Sequence, residues 1–70
     1  MSETFLRTAF GGTVMLRARP DVASPHVGAA GPDDLMQLLD VQNGYAQVLL
    51  VHRQPPLTGW IYEAATRSEG

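Results

Sequence analysis

The chain has 70 residues, a net charge of −2 and no cysteine. That length holds one small domain, and the absence of cysteine excludes disulfides and thiolate metal sites. The cations are five arginines with no lysine, too few and too scattered for a phosphate-binding patch, so no nucleic acid is expected as a partner. An apolar content of 44% fits a globular chain rather than a disordered one. Two histidines alone do not make a protein-only zinc site, and no cofactor is implied. The longest apolar run, Val48 to Val51, is far too short to span a bilayer. The start, Met1 to Arg7, has an early acidic residue and no apolar stretch of signal-peptide length. The expectation is a cytoplasmic protein or part of an assembled particle, without a membrane partner. A domain this small gains from a partner subunit.

Glu3 to Phe10 carries Thr, Phe and Leu, which favour a half-buried extended conformation, and reads as a first strand. Gly11-Gly12 marks a turn. Thr13 to Arg19 reads as a second strand, with Val14 and Leu16 inward and Arg17 and Arg19 outward by period-two spacing. Pro20 ends it, because proline has no N–H for a ladder. Asp21 to Asp34 holds two prolines and two glycines and reads as loop, with Val27 tucked into the core as an anchor or a one-residue strand.

Leu35 to Val41 is ambiguous. Asp33-Asp34 suits a helix cap and Leu and Met suit a helix, yet few residues separate Pro32 from Asn43-Gly44. Met36 and Leu38 alternate around Gln37, so strand is favoured. Asn43-Gly44 is the strongest hairpin signal in the chain. It launches Tyr45 to Val51, with Ala46, Val48 and Leu50 on one face. His52 to Leu57 is a proline-bearing loop, and Thr58 to Tyr62 returns as the last full strand. Glu63 to Thr66 suits one helical turn, and 67–70 a tail. Five or six short strands with closely spaced turns point to an all-β barrel or sandwich, and the length favours a small barrel.

Val14-Met15-Leu16-Arg17-Ala18-Arg19-Pro20, Met36-Gln37-Leu38-Leu39, Asn43-Gly44-Tyr45 and Thr58-Gly59-Trp60-Ile61 stand in the order of the bacterial SH3-type (SH3b) motifs. From about residue 14 to 65 the chain resembles that family, with 1–12 adding an N-terminal strand. It departs from the pattern at Met15, where the family has Asn, at Tyr45, where it has Trp, in the longer His52–Leu57 loop and in its closing residues. The resemblance implies a bacterial or phage SH3-like barrel without catalysis. Such domains target cell-wall peptides or bind proteins as accessory modules.

Trp60 and Tyr62 share a strand face, and Tyr45 lies near them across the hairpin. The trio forms either an aromatic groove for an extended or proline-rich peptide or a half-buried cover for the barrel edge. Met15, Leu35, Leu49 and Val51 fall on the outward face if Val14, Leu16, Met36 and Val48 point inward. A cluster of three would mark a contact with a protein partner or a second copy, whereas a one-residue register error would exchange the faces. His26 and His52 read as solvated loop residues, and Asp21, Ser24 and His26 as turn chemistry rather than a catalytic triad. Asp33-Asp34 reads as a turn pair, with a pairing to Arg17 left open, and Pro55-Pro56 as a stiff loop tip. The expected function is a non-catalytic protein-interaction or assembly module, self-associating or partner-bound, with recognition of cell-wall peptides as the alternative. The contact residues expected are Trp60, Tyr62, Tyr45, Met15, Leu35 and Leu49.

Overall fold

The structure is a computed structural model and describes residues 3–69. It is all-β. The strands are β1 (Phe5–Thr8), β2 (Val14–Arg17), β3 (His26–Ala30), β4 (Met36–Gln42), β5 (Tyr45–Leu50), β6 (Leu57–Tyr62) and β7 (Thr66–Ser68), with a 3-10 turn at Glu63–Ala65. They form one sheet in the order β3-β2-β6-β5-β4-β1-β7, with every pairing antiparallel.

β5 shows why the sheet curls. Its six residues alternate, with Ala46, Val48 and Leu50 fully buried and Tyr45, Gln47 and Leu49 half-buried. Leu6, Leu16, Ala30, Met36 and Ile61, from five other strands, pack against the same three side chains as one cluster. A flat sheet would leave its outer strands too far apart to share a core. Curling brings those inner faces together, and each fully buried Leu, Ile, Val or Met contributes about 1.5–3 kcal/mol relative to exposure. The register is pinned at the β4–β5 turn. Asn43 and Gly44 have φ of +53° and +77°, the two positive angles that a tight hairpin needs to follow the right-handed twist. Gln42 and Tyr45 then face each other, and so do Tyr45 and Tyr62 on the next strand.

The segment Leu35 to Val41 is extended, with strand over Met36–Gln42, as the alternation around Gln37 favours. Four expectations differ from the structure. There are seven strands, not five or six. The extra pairing comes from the segment expected to be a tail: Leu6, Arg7 and Thr8 pair with Ser68, Arg67 and Thr66. Glu69 N–H donates to the Phe5 carbonyl at 2.8 Å, and its carboxylate takes Arg7 Nε at 2.7 Å. Without these contacts β1 would be an open edge. The loop at Asp21–Asp34 contains β3, whose Gly28, Ala29 and Ala30 carry little strand propensity of their own. Pairing with β2 imposes the conformation.

Val27 does not enter the core; it is 44% exposed. A bulge between Leu16 and Arg17 in the β2–β3 register leaves Val27 unpaired and sets Gly28 opposite Leu16. Arg17, whose pairing the sequence left open, bonds to the Val22 and Ser24 carbonyls. Arg53 takes Asp34, through Nε to Oδ1 at 3.0 Å and Nη2 to Oδ2 at 2.8 Å. The same Arg53 Nη2 donates to the Ala29 carbonyl at 2.8 Å, so the pair caps β3 at the edge of the sheet.

Candidate functional site

An open concavity of about 560 Å³ lies where the β1–β2 and β2–β3 loops meet the beginning of β5 and the end of β6. Tyr45 and Tyr62 form one wall. Their register places them directly opposite, and the rings meet edge to face at a centroid distance of 5.8 Å. Val14 and Met15 of β2 line it as well. Phe10 and Val22 enter from the two loops and are 68% and 73% exposed. Four large apolar side chains around this one hollow, Phe10, Met15, Val22 and Tyr62, are therefore wet.

Local geometry holds these side chains in place. Gly11 has φ +64°, a backbone conformation costly for other residues, and the turn it makes folds the Phe10 ring back over Gly12. The β2–β3 loop is tied from within. Asp21 Oδ1 accepts from Ala23 N, Ser24 Oγ accepts from Arg19 N, and Ser24 Oγ donates to the Pro25 carbonyl. Asn43 Nδ2 donates to the Pro20 carbonyl at 3.3 Å, linking that loop to the β4–β5 turn. Asp21 and Ser24 are thus consumed by the turn, and neither bonds to His26, so the three do not form a nucleophilic relay.

The polar members of the groove are Thr13, Arg17 and His26, with the two tyrosine hydroxyls. No acidic side chain lines it. Arg17 Nη1 donates to the carbonyls of Val22 and Ser24 at 2.9 and 3.1 Å. Among the described residues no three metal-ligating side chains converge, and no helix is long and apolar enough to cross a membrane. The acid–base pair with perturbed titration lies elsewhere. Arg53's hydrogen bonds hold the Asp34 carboxyl below the usual carboxylate range, against the opposing effect of burial and with help from the Gly31 N–H. Its role is to cap β3.

Of the residues expected to make contact, the structure brings together Tyr45, Tyr62 and Met15. Trp60 shares their face but is only 8% exposed. It has a strand on each side, with Gln47 opposite on β5 and Arg17 opposite on β2, whereas the β2 pairing stops short of Tyr62. Leu35 and Leu49 are half-buried and sit toward the far end of the β4–β5 hairpin. There Leu49 faces Gln37, and Val51 N–H bonds to the Leu35 carbonyl. The outward apolar set is therefore split between two places. Phe10 and Val22 were missed because each stands outside a strand pattern. The available signal was a bulky apolar residue placed beside a Gly-Gly or Pro-Asp turn.

Fold and site together define a small all-β, barrel-like domain with an open aromatic groove. The chain matches no family model, no curated protein and no solved structure.

Proposed function

We propose that this chain is a non-catalytic recognition module that holds an extended apolar segment of a protein partner in the groove between Tyr45, Tyr62, Met15 and the two loops. The observation that carries this reading is the gathering of Phe10, Met15, Val22 and Tyr62 around one hollow, all exposed in a chain short of core. Scattered singly, such residues mean little; gathered, they mark a contact. Two facing aromatic rings with aliphatic neighbours suit an extended or proline-rich peptide, whose side chains then replace water on the groove floor. Apolar burial would drive the binding, and no covalent chemistry is needed. The likeness to SH3b motifs supports a binding role and makes cell-wall peptides the competing ligand class.

The test is a titration of the labelled chain with an array of octapeptides and with soluble muropeptides, read by amide chemical shifts. Shifts should concentrate at Phe10, Met15, Val22, Tyr45 and Tyr62. Tyr62→Ala should weaken the best octapeptide about tenfold, the loss of roughly 1.4 kcal/mol of contact. Leu39→Ala, exposed on β4 away from the groove, should leave it unchanged. Shifts at the Leu35–Leu49 end instead, or equal loss in both variants, would remove the groove from its role. Binding of muropeptides alone would give the site to the cell-wall class.

A further inference from the structure

We propose that the groove selects an extended apolar segment bearing an acidic side chain, and that Arg17 reads the carboxylate. This rests on the groove reading above and adds the chemistry of the occupant. The Nη1 corner of Arg17 is bound to the Val22 and Ser24 carbonyls at 2.9 and 3.1 Å. Those bonds fix the guanidinium against Val22, itself a wall of the hollow. Its Nε and Nη2 donate to no other described residue. A planar cation anchored at one corner, with its remaining donors free, is preorganised for a carboxylate and loses little entropy on taking one.

Charge points the same way. The chain has seven acidic residues against five arginines, yet none of the seven lines the groove. Asp34 is engaged by Arg53 and Glu69 by Arg7, while Asp21 caps its own turn. His26, opposite Arg17 in the β2–β3 pairing, adds a second nitrogen donor on the same side. The lining of the hollow therefore carries a guanidinium and no carboxylate. That favours an anionic segment and disfavours one with Lys or Arg. The apolar wall from Phe10 to Tyr62 holds the neighbouring side chains of the segment.

The experiment uses end-capped octapeptides, so that side chains supply the only carboxylates, against the native chain. Binders should be enriched in Asp or Glu beside Leu, Pro or an aromatic residue. In the tightest of them, replacing Glu by Gln should weaken binding about fivefold, the scale of a well-placed but partly exposed ion pair, and replacing it by Lys should weaken it further. The Arg17 Nε–H resonance should shift with the Glu peptide and stay with the Gln peptide. Binders without acidic bias, a Glu-to-Gln ratio within about twofold, or an unmoved Arg17 Nε–H would overturn the carboxylate reading and leave the groove standing. No binder at all, or binders indifferent to Tyr62→Ala, would overturn the groove itself.

Discussion

Gly59 of β6 lies close against Leu16 and Arg17 of β2, and it gives the sharpest test of how the groove is positioned. A methyl group added there would lie 3.0 Å from Leu16 Cβ, 3.1 Å from Val27 Cγ2 and 3.3 Å from the Arg17 carbonyl oxygen. Two of the three cannot swing away. Leu16 is fully buried and its Cβ is fixed to the strand, and the carbonyl is backbone. Overpacking of this kind costs about 1–3 kcal/mol. The reduced freedom of the unfolded chain in Gly→Ala offsets roughly 0.4–1 kcal/mol. Gly59→Ala should thus lose about 1–2 kcal/mol net. For a chain of this length the unfolding entropy makes 1 kcal/mol worth roughly 7 °C, so the midpoint should fall by about 7–14 °C.

Gly28→Ala is the control, and proximity alone misjudges it. The added methyl would meet Leu57 Cδ2 at 2.7 Å, closer than anything at Gly59, but every other contact is at 3.8 Å. That atom is the far end of a flexible, half-buried side chain. Its cost should be offset by the entropy gain, leaving stability within about 0.5 kcal/mol of the native chain. Urea unfolding followed by Trp60 fluorescence reads both variants, since that ring is buried. If Gly28→Ala proves as damaging as Gly59→Ala, or Gly59→Ala is neutral, then β2 does not cross β6 where described, and the placement of Met15 and Arg17 beside Tyr62 fails with it.

Thr8 is 2% exposed and its Oγ1 has no hydrogen-bond partner among the described residues. Thr8→Val should therefore be neutral or stabilising, by up to about 1 kcal/mol in urea melts; a loss of stability would mean that the hydroxyl is bonded. Asn43 holds φ of +53° in the hairpin turn, so Asn43→Ala should cost about 1 kcal/mol, and Asn43→Gly, which loses the bond to Pro20 but keeps the backbone angle, should cost less, measured by thermal unfolding. The Asp34 carboxyl is held below its ordinary range, chiefly by Arg53. Its contribution to stability is present above the unfolded value of about 3.9 and is lost as pH falls through the lower folded value. Asp34→Asn should accordingly flatten the acid limb of the stability curve below about pH 4, and an unchanged limb would refute the pairing.

What the sequence determined by itself was local. Period-two alternation in Tyr45 to Leu50 set which side chains face inward, and burial of Ala46, Val48 and Leu50 follows it residue by residue. Asn43-Gly44 set the turn, because few residue pairs accept two positive φ angles. Those two facts place Tyr45 opposite the returning aromatic strand. Tertiary structure decided the rest. β3 and β7 are strands because β2 and β1 supply their partners, and nothing in Gly28-Ala29-Ala30 or Thr66-Arg67-Ser68 announces that. Trp60 is covered and Tyr62 open although they share a face, because the β2–β6 pairing holds at Trp60 and stops short of Tyr62. Phe10 and Val22 stand in the loops at the two ends of β2, and they line one groove with Tyr45 and Tyr62 only because the more distant β5 and β6 pack alongside. Alternation and turn chemistry act between neighbours in sequence, while exposure depends on which distant backbone arrives alongside.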